Sequence, residues 1–128
     1  MTGTQEHPPT VGLGAAISNA VVRLLAEYTG RGPTKARTYI NDDYIAVVLQ
    51  DTLTKGERSL VRDGKTELVL ATRKAYQQTM SRDLIAAVEQ LTGRTVHAFL
   101  SDNRTDPDVA IESFVLAPQD GAVPSVSA

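Results

Sequence analysis

SNAVVRLLAEYTGR, residues 18–31, and SRDLIAAVEQLTGR, residues 81–94, are the two stretches whose reading decides the fold of this chain. The second follows the first at an offset of sixty-three positions. Ser18 falls on Ser81, Val21 on Leu84, Val22 on Ile85, Leu25 on Val88, Tyr28 on Leu91, and Thr29-Gly30-Arg31 on Thr92-Gly93-Arg94. Apolar residues three and four apart line one face of a helix, and a glycine after the last of them supplies the left-handed residue that closes it. Each stretch therefore predicts an amphipathic helix that stops at glycine. Strand-like sequence follows both, so the chain reads as one helix-plus-hairpin unit used twice.

Around the first copy, Leu13, Ile17, Ala20/Val21, Leu24/Leu25 and Tyr28 keep helical spacing. Gly32-Pro33 bars continuation, because proline lacks an amide donor and restricts the residue before it. Thr34 to Ile40 and Tyr44 to Leu49 are rich in strand formers and flank Asn41-Asp42-Asp43, which has turn chemistry, so a hairpin is predicted. Thr54-Lys55-Gly56-Glu57 has the spacing of a capping box and opens a short helix to about Arg62. A long helix from about Glu67 to Thr92 is expected to bury Val69, Tyr76, Met80, Leu84, Val88 and Leu91. Arg94 to Ser101 reads as a strand with Val96, Ala98 and Leu100 opposite His97 and Phe99. Asp102 to Asp108 reads as a turn, and Val109 to Leu116 as the last strand.

The implied architecture is α+β: two helix-plus-β-hairpin units forming a four-stranded, mainly antiparallel sheet packed against two long helices and one short one. Residues 11–116 make a single domain. The polar arm, residues 1–10, and the small-residue tail, residues 117–128, lack the apolar content to offset their ordering entropy and are expected to be disordered. A sheet covered on one face leaves the other face or an edge free, so a homodimer is expected.

Composition removes several function classes. The absence of cysteine excludes disulfides, zinc–thiolate sites and thiol catalysis. A formal charge of −2, with both signs interspersed, provides no basic field for a phosphate backbone, and two Phe, four Tyr and no Trp make a poor base-stacking platform. Nucleic acid is not an expected partner. No apolar run approaches the roughly 18 residues that would cross a bilayer, so a soluble protein without direct membrane insertion is expected. The start of the chain carries neither the basic cluster nor the apolar stretch of a secretory signal, which points to the cytoplasm.

The candidate functional residues are few. Arg73 falls on the apolar stripe of the long helix, where a guanidinium must find a carboxylate or a carbonyl; Glu57 and Glu67 are the candidate partners. Its alternative role is anion binding, with Arg31 and Arg37 as further candidates, since guanidinium suits forked recognition of carboxylate or phosphate. Thr29-Gly30-Arg31-Gly32-Pro33 is not a phosphate loop: it follows a helix, whose end presents carbonyls rather than amides. Lys35 and Arg37 share one face of the first strand, as expected of a solvated face. His97 has no second histidine at ligand spacing, and the paired acids Asp42-Asp43 and Asp102/Asp106/Asp108 suit turns, so no metal and no cofactor are expected. No nucleophile elbow or catalytic triad is present; Glu57 and Asp51 would be the acid/base pair of any enzyme reading, and the expectation is that the protein is not an enzyme.

Ser18-Asn19 before an apolar helix, Arg31-Gly32-Pro33, Tyr44-Ile45, Leu53-Thr54-Lys55-Gly56-Glu57, Arg73, Leu91-Thr92-Gly93-Arg94 and Phe114-Val115-Leu116 occur in an order and spacing that resembles a bacterial domain family, the MpsC-like component of a sodium-translocating, membrane-potential-generating system. The resemblance implies an accessory or regulatory protein that acts by binding, with membrane subunits of a cation or inorganic-carbon transport system as partners. It implies no catalytic residues. The alternative from the residues is a small-anion or nucleotide-phosphate sensor using Arg73, Arg37 or Arg31, with Glu57 beside them.

Overall fold

Helix α1, Thr10–Thr29, leads into the hairpin β1, Lys35–Asn41, and β2, Tyr44–Gln50. A short helix α2, Lys55–Arg62, and a long helix α3, Thr66–Thr92, precede the second hairpin, β3, Val96–Thr105, and β4, Asp108–Leu116. This computed structural model describes residues 10–119; the arm through residue 9 and the tail from residue 120 lie outside the described residues. Every strand pairing is antiparallel, in the order β1-β2-β4-β3, so the two hairpins join through their second strands. The α+β architecture read from the sequence is the one observed.

The two Thr-Gly-Arg triplets close their helices by the same bonds. Gly30 and Gly93 both adopt the left-handed conformation, with φ of 84° and 71°. Their amides return to the carbonyls of Ala26 and Glu89 at 2.9 and 2.8 Å. Thr29 and Thr92 each donate a hydroxyl to the carbonyl four residues back, at 2.8 Å in both cases. A β-carbon at either glycine would strain a backbone that L-residues rarely adopt.

Helices α1 and α3 lie on one face of the sheet and enclose the core. Ile17, Val21 and Leu25 meet Met80, Leu84 and Val88, and all pack on Ile45, Val47, Leu49, Phe114 and Leu116. Alternation along each strand sends every second residue into this core. Arg37, Val48, Ile111 and Asp102 consequently form one row across the outer face, and Thr38, Val47, Glu112 and Ser101 the adjacent row across the inner face.

Three expectations need correction. A β-bulge between Val96 and Ala98 shifts the register of β3, so Phe99 turns inward to meet Phe114 at 5.1 Å between ring centroids, while Leu100 faces outward. Asp102 to Thr105 is not turn but strand, paired residue for residue with Asp108 to Ile111; the turn is confined to Asp106-Pro107. Its polar outer residues hid a period-two pattern that depends on register rather than on composition. On α3, Gln77 rather than Tyr76 occupies the buried stripe, because the turns of the helix carry Val69, Arg73 and Gln77 at spacings of four.

Candidate functional site

The loop between β2 and α2, residues 51–54, is where charged groups from distant parts of the chain converge. Asp51 holds a positive φ of 59°, uncommon outside glycine and tolerated by Asp because its short side chain bonds locally. From the loop after α1, Arg31 donates through one nitrogen to the carbonyls of Asp51 and Leu53 at 2.6 and 3.0 Å, and through the other to the Asp51 carboxylate at 2.9 Å. Arg58 on α2 pairs with the same carboxylate. Hydrogen bonding from Arg31, with help from Thr34 and the two guanidinium charges, holds the pKa of Asp51 below its ordinary value.

From the other side, Asp108 at the start of β4 accepts the amide and hydroxyl of Thr52 at 3.0 and 2.9 Å and the amide of Leu53 at 3.0 Å. The capping box then starts α2: Thr54 accepts the Glu57 amide at 3.1 Å, and Glu57 accepts the Thr54 amide at 2.8 Å. The Glu57 carboxylate also takes a forked pair from Arg73, through Nε at 3.0 Å and Nη2 at 2.6 Å, while Nη2 reaches the Thr52 carbonyl at 2.6 Å. Burial alone would raise the pKa of Glu57, but the Arg73 and Thr54 hydrogen bonds and the Arg73 charge outweigh it and the net shift is downward. Arg73, only 3% exposed, is the buried cation and Glu57 its partner, whereas the other sequence candidate, Glu67, lies exposed.

Of the four residues singled out from sequence, Arg31, Arg73 and Glu57 therefore gather around one loop, each bonded to protein acceptors or donors. Arg37 is elsewhere, on the outer face of β1. There it borders a depression of about 470 Å³ with Lys35, Tyr39, Val48 and Gln50.

One turn along α3 from Arg73 lies a second polar group that sequence reasoning missed. Glu112 is completely buried on the inner face of β4, between Ala110 and Phe114. Gln77 donates to its Oε2 at a long 3.4 Å. Its Oε1 and the hydroxyl of Ser101, directly across the β4–β3 register, have no well-formed hydrogen-bond partner among the described residues. Burial raises the Glu112 pKa to about 7, with Ser101, Gln77 and the charge of Arg73 only partly offsetting it. Protonation would turn Glu112 into a donor and allow Oε1 and the Ser101 hydroxyl to satisfy each other. Gln77 and Ser101 also floor a groove between α3 and β3, about 310 Å³ in volume, with Lys74, Gln78, Ser81 and Phe99 on its walls. The missed signal was alternation: Glu112 shares the parity of Phe114 and Leu116, which marks it as inward-facing once those two are taken as core.

The family model that describes a Na+-translocating membrane potential-generating system, MpsC, matches residues 11–118, almost the whole of the folded body. The chain belongs to the MpsC family. No curated protein and no solved structure matches it. No cluster of three or more His, Cys, Asp or Glu side chains among the described residues of this MpsC chain could hold a metal ion. No described helix is long and apolar enough to cross a membrane.

Proposed function

We propose that this chain is a non-enzymatic accessory subunit of a Na+-translocating, potential-generating membrane system, and that it acts by binding membrane-embedded partner subunits from the cytoplasmic side. The observation that carries this reading is the MpsC family match across residues 11–118. Since no described helix is suited to crossing a bilayer, the ion path is assigned to the partners.

The electrostatics of the loop at residues 51–54 favour binding over catalysis. A general acid or base works best with a pKa near the operating pH. Asp51 and Glu57 are instead held ionised by arginines, with pKa values below the ordinary range. Glu112 has a pKa near neutrality and faces the Ser101 hydroxyl, but its own side chain is completely buried, out of reach of a substrate. The bonds of Asp51 and Glu57 to Arg31, Arg58 and Arg73 tie α2, α3 and the loop after α1 to the end of the sheet.

The reading is tested by purifying the tagged full chain from its native cells in mild detergent and identifying what accompanies it. Recovery of polytopic membrane subunits of a cation transport system is the expected result. Purification without any membrane subunit, from cells shown to express that system, would count decisively against it.

A further inference from the structure

The outer face of the sheet is left bare by α1 and α3, which pack on the other side. Four of the six large hydrophobic side chains exposed among the described residues lie on it: Tyr39 at 53%, Tyr44 at 44%, Leu100 at 61% and Ile111 at 40% exposed. Val48, Val109 and Val115 lie between them on the same face, half-buried. A contiguous apolar patch of this kind, rimmed by charge, marks an interaction surface rather than ordinary surface scatter.

The register shows what fits it. Row by row, Arg37 stands at the β1 edge where Asp102 stands at the β3 edge, with Val48 and Ile111 between them. In the next outward row Tyr39 occupies the β1 edge and Leu100 the β3 edge, with Ala46 and Ser113 between. A half-turn about an axis parallel to the strands, running between β2 and β4, exchanges β1 with β3 and β2 with β4 without changing the row. It brings Arg37 over Asp102 of a second copy, Tyr39 over Leu100, and Val48 over Ile111. A patch that meets its own image in this way is the requirement for a two-fold interface.

Shape agrees with charge. The same rotation carries Leu100, the most exposed of the large hydrophobics, over the depression of about 470 Å³ beside Tyr39 and Val48. Only the row of Lys35 and Arg104 opposes like charges, and it lies at the end of the face, where long side chains can turn to water and where twisted sheets packed face to face diverge.

We propose that this face is a homodimer interface, in which two copies stack sheet on sheet about that axis, with paired Arg37–Asp102 contacts fixing the alignment. Seven rows spaced at about 3.3 Å and four strands at about 4.8 Å give a face of roughly 19 by 23 Å. That is at the small end for a specific interface, so the dimer is expected to dissociate on dilution. Stacking leaves the junction at residues 51–54 and the outer surfaces of α1 and α3 free for other partners. The proposal stands independently of the membrane-system reading.

The test is sedimentation velocity of the full chain over a thousandfold concentration range, with circular dichroism to verify that each variant is folded. Wild type is expected to shift from monomer to dimer. Arg37→Asp and Asp102→Arg are each expected to weaken self-association by at least about tenfold, and the double variant R37D/D102R to restore it. Leu100→Asp is expected to abolish it. All these side chains are exposed in the single chain, so folding should survive. A monomer at every concentration overturns the proposal. So does a dimer that persists in the folded single variants, which would be joined through some other surface, or a double variant that fails to recover.

Discussion

Replacing Glu112 with Gln should convert a pH-sensitive core into an insensitive one. The side chain is completely buried, faces Arg73 and Gln77 from α3 and Ser101 from β3, and has its pKa raised by burial from 4.5 to about 7. Below the unfolded value, both states hold the proton and the folded protein has its full stability. Between 4.5 and about 7 the folded state retains a proton that the unfolded chain has released, so stability falls as pH rises; above about 7 the loss is complete. At about 1.4 kcal/mol per pH unit, the interval comes to about 3 kcal/mol. Gln has nearly the shape of the protonated acid and cannot ionise. Wild type and Glu112→Gln should therefore be of similar stability at pH 5, and at pH 8 the variant should be the more stable by about 2–3 kcal/mol. Urea unfolding followed by circular dichroism would read this as a midpoint higher by about 1–2 M at pH 8. The lowered pKa values of Asp51 and Glu57 act in the opposite sense and at acid pH, where stability is lost as pH falls, and they are common to both proteins. A midpoint difference that is the same at pH 5 and pH 8, or a variant less stable at pH 8, would refute the reasoning.

Arg73→Leu should destabilise by about 3–5 kcal/mol in chemical denaturation, because it strands the largely buried Glu57 carboxylate; adding Glu57→Gln should recover part of the loss, which simple removal of packing would not allow. Thr54→Ala removes one half of the capping box and should cost about 1 kcal/mol in the same assay. Gly30→Ala should lower stability by about 1 kcal/mol through backbone strain alone, since φ is 84° and no atom lies within 4 Å of the new β-carbon; an unchanged midpoint would show that the helix end relaxes.

How much could be read in advance depended on how local the cause was. The helix closures, the capping box, the first hairpin and the pairing of Arg73 with one of two acids all rest on residues a few positions apart, or on the cost of burying an unpaired charge. Leu100 and Phe99 were assigned to the wrong faces because a single extra residue at the bulge inverts every side chain beyond it. Asp108 was read as turn chemistry, yet its carboxylate holds the loop at residues 51–54, fifty-odd positions earlier.

Sequence by itself determined the order of helices and strands, where each long helix stops, and that the chain contains neither a thiol nor a long apolar span, since propensity, capping and composition are properties of neighbours along the chain; it did not determine that β3 runs on through Thr105. Only the tertiary structure decided that β2 and β4 form the centre of the sheet, that Arg31, Arg73 and Asp108 meet at one loop, that Glu112 lies in the core beside Gln77, and that Arg37 and Asp102 stand at opposite ends of one row. Those relations are set by strand register and helix packing, which join residues far apart in the chain; local pattern can say that a side chain such as Glu112 faces inward, but not which residue it meets there.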